Sequence, residues 1–153
     1  KIKMRLRNRI PPPIITLTFI LLSFWLTNYL PKLAFNYQGL LSLLMILIGL
    51  IIIVIGVKIF NKSDTTINPL NPREVSYLVT NGVFSYTRNP MYLGMVIILL
   101  GVTVYNGVYI GIIVLPCFIL YITEFQIKPE EEAMEEIFAG DYTDYLKRVR
   151  RWL

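Results

Sequence analysis

The sequence contains no histidine and a single cysteine, and only 16% of its 153 residues are charged. Each shortage removes a class of chemistry. Cys117 stands alone inside an apolar run, so zinc, haem and iron–sulfur ligation lack a ligand set, and a disulfide within one chain is impossible. Hydrolases of the Ser-His-Asp or Cys-His type are excluded for the same reason, which leaves Cys117 to be expected as a small buried apolar residue. No Walker-type loop and no GxGxxG after a strand is found, so a soluble nucleotide-binding fold is not expected. Basic residues are not interleaved with aromatics in a way that would suit nucleic acid. The scarcity of charge also constrains the solvent. With 55% hydrophobic residues and a mean hydropathy of +0.58, a water-soluble domain of this size would have too little polar surface to cover itself. The expected class is an all-α integral membrane protein, forming one domain over residues 1–153.

Four apolar segments approach the roughly 20 residues that a helix needs to cross a bilayer. They run from Ile14 to Leu30, Leu40 to Phe60, Met91 to Tyr105 and Val108 to Ile127. Asn106-Gly107 separates the last two, which predicts a tight helical hairpin, and Pro116 is expected to kink the fourth. Lys1, Lys3, Arg5, Arg7 and Arg9 precede the first segment; Lys62, Arg73 and Arg88 lie between the second and third, with Lys58 close by. Lys128, Lys147, Arg148, Arg150 and Arg151 follow the fourth, whereas the two opposite loops hold only Lys32. This asymmetry predicts cytoplasmic termini, a cytoplasmic loop over 61–89 and a cytoplasmic tail over 128–153. Basic residues followed by an apolar run imitate a signal peptide, but no small-x-small cleavage pattern closes the run, so the first segment is expected to be retained.

Polar residues gather in two places on that cytoplasmic side. Arg88-Asn89-Pro90-Met91-Tyr92-Leu93-Gly94 opens the third segment, after a loop with two Asn-Pro pairs and the turn signal Asn81-Gly82. The tail from Glu124 holds eight of the ten acidic residues. Glu130, Glu131, Glu132, Glu135 and Glu136 begin a helical stretch, where acids complement the helix dipole. Met134, Ile137 and Phe138 supply a docking face. After Gly140, the pattern Tyr142, Tyr145, Leu146, Val149 predicts a second short amphipathic helix ending in Arg150-Arg151-Trp152, a combination suited to an interfacial anchor.

Leu78-Val79-Thr80-x-Gly82-x-Phe84-x-x-x-Arg88-Asn89-Pro90-Met91-Tyr92-Leu93-Gly94, followed by Glu130-Glu131-x-x-Met134-x-x-x-Phe138 and Tyr142-x-x-Tyr145, resembles the membrane methyltransferases related to isoprenylcysteine carboxyl methyltransferase and phosphatidylethanolamine N-methyltransferase. The resemblance covers roughly residues 65 to 152, and its specificity comes from two separated motifs in the right order. It implies S-adenosylmethionine as methyl donor, with S-adenosylhomocysteine as product, bound at the cytoplasmic side by the start of the third span, the last span and the acidic tail. The residues this places at the cofactor are Arg88, Asn89, Pro90, Tyr92, Leu93, Gly94, Glu130, Glu131 and Tyr142. The family usually carries Arg-His-Pro where this chain has Arg88-Asn89-Pro90, so an imidazole base is not available there. Asn89 is expected to cap the helix instead, its carbonyl still able to accept a hydrogen bond.

The side-chain chemistry fits such a ligand. Glu130 or Glu131 can accept from ribose hydroxyls or an ammonium, and Arg88 can pair with a carboxylate or, equally, hold a tail glutamate over the site. Tyr92 lies one turn further in, where its ring can face the adenine or sulfonium or serve as an ordinary interfacial aromatic. Gly94 and Gly101, seven apart, permit close approach of a ligand or of a neighbouring helix. Glu124, an acid at the edge of a span, is a catalytic candidate together with Arg88, either as general base or substrate-orienting group; pairing with Arg88 or Arg73 is the structural reading. Sulfonium methyl transfer is a one-step displacement that calls for positioning and electrostatics, not for a metal or a covalent intermediate. The acceptor is expected to be lipophilic and to arrive laterally from the bilayer. The competing class is a non-enzymatic multi-span protein, an assembly factor or transporter component with a cytoplasmic interaction tail, which leaves the paired motifs unexplained.

Overall fold

The structure, a computed structural model, describes residues 10–62 and 77–153. All regular structure among them is helical: α1 (Pro12–Leu26), α2 (Gln38–Lys62), a 3₁₀ turn (Gly82–Ser85), α3 (Pro90–Asn106), α4 (Val108–Ile122), a π turn (Thr123–Ile127) and α5 (Lys128–Arg148). Proline opens α1, α3 and α5 within their first two positions, where its fixed φ suits a helix and its missing N–H costs nothing. The early basic residues, Arg73 and the two Asn-Pro pairs lie outside the described residues.

Each apolar segment read from the sequence forms a helix, with shifted ends. The first stops at Leu26, before Leu30, because Thr27 Oγ1 and Asn28 Nδ2 donate to the carbonyls of Phe24 and Trp25. The hairpin between α3 and α4 turns on Gly107, whose φ of 142° excludes most side chains. α4 carries Pro116 in its interior. It does not end at Ile127, as the sequence predicts, but continues through the π turn into α5. Two helical stretches, Gln38–Lys62 and Val108–Arg148, are long and apolar enough to cross a membrane, while α1 and α3 are shorter apolar helices of 15 and 17 residues.

Glycines bring α2 against α3. A Cβ added at Gly49 would lie 2.6 Å from the Gly94 carbonyl oxygen, one at Gly94 2.6 Å from Ile53 Cγ1, and one at Gly101 2.9 Å from the Ser42 carbonyl oxygen. Of the two uses open to Gly94 and Gly101, the seam with α2 is the one seen. On the other side of α3, Ile15, Tyr92, Leu99, Ile110, Val114, Phe118, Ile122 and Ile127 join α1, α3 and α4 in one core. Asn106 Nδ2 donates to Ser23 Oγ at 2.9 Å, and Gln38 Nε2 donates to the carbonyls of Val104 and Tyr105, tying the far end of the hairpin to α1 and α2.

The exterior is apolar. Leu17, Leu21, Leu43, Ile51, Ile112 and Leu120 are each 53% to 65% exposed, a continuous surface that suits lipid and not water. Cys117 belongs to this exterior and is not buried as expected. The inward stripe of α4 is Val114, Phe118 and Ile122, spaced by four, which turns position 117 outward.

The tail breaks one residue earlier than Gly140. Ala139 takes φ 42°, ψ −114°, dividing α5. Met134 and Phe138 pack against the buried Tyr142, Tyr145 and Val149, whereas Ile137, expected on the same face, is 38% exposed. The helix ends at Arg148, so Arg150-Arg151-Trp152 follows it as non-helical chain.

Candidate functional site

The starts of two helices meet at one place. The segment before α3 carries Arg88 and Asn89, the first turn of α3 carries Tyr92, and the first turn of α5 carries Glu130 and Glu131. Tyr92 Oη donates to Glu130 Oε1 at 2.5 Å across 38 residues of sequence. Arg88 Nη2 lies 3.1 Å from Glu131 Oε1. The two motifs are therefore joined by two direct contacts between adjacent pairs of side chains.

Glu131 is also held from a second side. Arg151 Nε donates to its Oε1 at 3.1 Å and Arg151 Nη2 to its Oε2 at 2.6 Å, a two-point fork. Arg151 is placed by the segment it completes. The Arg88 N–H donates to the Arg150 carbonyl at 3.1 Å. Asn89 Nδ2 and Thr87 Oγ1 both donate to the Arg151 carbonyl, at 2.9 and 3.3 Å, and Trp152 packs on the main core. The expected interfacial anchor is thus a latch closing over the start of α3. Asn89 does not cap α3 with its side chain, contrary to expectation. With proline in the first turn one orphan donor is already missing, and the amide reaches across to residue 151.

Burial of the Glu130 carboxyl pushes its pKa up to about 8, against the lowering effect of the Tyr92 hydrogen bond and with a further raising effect from Glu131. Tyr142, buried beside the cluster, is raised above its ordinary range by burial first and by Glu131 second, with Arg88 acting the other way. Tyr145 is pushed up to about 12 by burial. Its hydroxyl donates to the Phe84 carbonyl at 2.6 Å, which fastens the second half of α5 to the 3₁₀ turn. The Glu131 hydrogen bond raises Arg151.

Arg88, Tyr92, Glu130, Glu131 and Tyr142 therefore come together. Pro90 opens α3 and is buried, and Gly94 faces α2. Glu124 pairs with Lys128 one turn on, not with Arg88. Its place in the π turn accompanies two buried oxygens without hydrogen-bond partners, Thr123 Oγ1 and Gln126 Oε1; Arg88 Nε is the remaining such side-chain atom among the described residues. Gln126 is fully enclosed, its Nε2 donating to the Ile10 carbonyl at the head of α1. Arg151 was missed by the sequence reading because the basic run Arg148, Arg150, Arg151 has the form of an ordinary topology-setting flank.

Compared with protein families, residues 37–141 match phospholipid methyltransferase. An uncharacterized protein of Haemophilus influenzae is 42% identical over 66 residues, 41% of this chain and 100% of that protein. No solved structure matches.

Proposed function

The chain belongs to the phospholipid methyltransferase family, and we propose that it transfers a methyl group from S-adenosylmethionine to a lipophilic or membrane-borne acceptor at the cytoplasmic membrane face. The observation that carries this reading is the Tyr92–Glu130 hydrogen bond, which unites the motif at the start of α3 with the acidic tail in one half-buried cluster.

The cluster fits such a donor. Arg88 Nε is buried without a partner and suits a carboxylate oxygen. Glu130 suits an ammonium or ribose hydroxyl, and Tyr92 and Tyr142 provide aromatic walls. When bound, S-adenosylmethionine supplies a methyl group on a sulfonium, ready for direct displacement. The chain's own work is positioning. Arg88 orients an anionic end, and Tyr92 fixes the Glu130 carboxyl in one rotamer. Asn89 and Pro90 set the entry of α3, Leu93 follows Tyr92 in its first turn, and Gly94 lets that turn sit against α2. Holding reactants in line and replacing water by fixed dipoles accounts for most of the acceleration asked of such a site. Glu124, paired with Lys128, lies six residues before Glu130 and is the remaining candidate for orienting the acceptor or taking its proton.

In this reading all four apolar helices span the bilayer, both termini are cytoplasmic and the acceptor enters laterally between helices. Calorimetry on lipid-reconstituted protein with S-adenosylhomocysteine is the test. Saturable binding that weakens roughly tenfold in Tyr92→Phe or Glu130→Gln supports the reading, since one hydrogen bond is worth about that much. Folded wild type that shows no binding rejects it.

A further inference from the structure

The Arg88–Glu131–Arg151 cluster has more positive than negative charge and one buried donor nitrogen without an acceptor. Two guanidinium groups face one carboxylate, and their side chains are 11%, 17% and 34% exposed for Arg88, Glu131 and Arg151. The nearby carboxylates are already engaged: Glu124 pairs with Lys128, and Glu130 accepts from Tyr92. A carboxylate alone with Arg88 would take both N–H groups on one edge of the guanidinium, the Nε and Nη2 pair, in the forked geometry these groups prefer. Glu131 does not. Arg151 grips both of its oxygens, and Arg88 meets it through Nη2 alone, leaving Arg88 Nε buried without an acceptor.

We propose that Arg151 is a positioning residue: by holding Glu131 in a two-point grip, it leaves the Nε edge of Arg88 to seat an anionic oxygen, namely the carboxylate of the methyl donor's amino acid end. This rests on the methyl-donor reading above. The latch makes the arrangement self-consistent, because the motif itself places Arg150 and Arg151: the Arg88 N–H donates to the Arg150 carbonyl, and the Asn89 and Thr87 side chains donate to the Arg151 carbonyl. Without Arg151, Glu131 swings onto the whole Arg88 fork and competes with the ligand for it.

The test compares two ligands by calorimetry on lipid-reconstituted protein: S-adenosylhomocysteine, and 5′-methylthioadenosine, which lacks the amino acid end. Arg151→Gln is expected to weaken S-adenosylhomocysteine roughly tenfold or more and to leave 5′-methylthioadenosine within about twofold, a retained affinity that also certifies the fold. Adding Glu131→Gln to Arg151→Gln removes the competing carboxylate and is expected to restore most of the lost affinity. Equal weakening of both ligands in Arg151→Gln, an unchanged affinity for S-adenosylhomocysteine, or no rescue in the double variant overturns the proposal. If the affinity for soluble short-chain phosphatidic acid falls instead, the anion is a lipid phosphate and the carboxylate assignment is overturned. Wild type that binds neither nucleoside rejects the methyl-donor reading itself.

Discussion

Glu130 is where protonation, stability and binding meet. Its carboxyl, pushed up to about 8 in the folded chain, binds more protons there than in the unfolded chain, where the ordinary carboxylate value of about 4.3 applies. Stability is therefore greatest below that ordinary value, declines as pH rises toward 8 and is level above it. Thermal unfolding in detergent across this range is expected to show the decline in wild type and its absence at this site in Glu130→Gln. Tyr92→Phe removes the bond that holds the carboxyl down, so the decline extends to higher pH, with a loss of about 1 kcal/mol at neutral pH from the missing hydrogen bond. A decline that ends at the same pH in Tyr92→Phe as in wild type would remove Tyr92 from the account. Much at this scale was legible beforehand. Arg88, Tyr92, Glu130 and Glu131 stand out because polar side chains are costly beside apolar runs. Arg151 does not stand out, since its partner lies 20 residues away and only the latch geometry brings the two together.

Helices set the precision with which those side chains meet, and α3 is held by the glycine seam. A methyl group at Gly94 would meet the α2 backbone at 2.7 Å, at the Gly49 carbonyl, as well as the Ile53 side chain. Gly94→Ala is expected to cost about 1 to 3 kcal/mol through overpacking and to lower the thermal midpoint, whereas Gly39→Ala, with nothing within 4 Å, serves as the neutral comparison. Ala139 offers the opposite case. Its φ of 42° and ψ of −114° form a conformation natural to glycine and strained for alanine, by about 1 kcal/mol or more. Ala139→Gly should raise the midpoint, as followed by circular dichroism on heating; a fall would mean that the strain estimate is outweighed by helix propensity. Helix existence was readable from apolar length and proline punctuation. Helix ends were not, because Thr27 and Asn28 terminate α1 by side-chain bonds to the backbone, and the break falls on Ala139 although Gly140 is the residue whose type announces it.

Among the described residues the same end carries the site, the basic residues Arg88, Lys128, Arg150 and Arg151, and the heads of α1 and α3. The 15 residues of α1 and 17 of α3 rise about 22 and 26 Å at 1.5 Å per residue, short of about 30 Å of hydrocarbon, while α2 with 25 residues rises about 38 Å. A set of such unequal helices fits one bilayer if the long ones tilt or project and the short ones draw the interface toward their polar ends. The polar end of α3 is Arg88 and Asn89, so local thinning there would bring the headgroup region down to Tyr92 and Glu130, the depth a lipid headgroup needs to reach the cluster. In the proposed topology the positive-inside rule assigns that end to the cytoplasm. The chain's single cysteine makes this directly measurable: in a Cys117→Ser background, a cysteine replacing Leu33 is expected to react with a membrane-impermeant maleimide from outside the cell. A cysteine replacing Glu136 should react only after the membrane is opened. Reaction of position 136 in intact cells would place the Arg88 cluster on the outer face, away from a cytoplasmic methyl donor, and would overturn the four-span topology and the proposed reaction together.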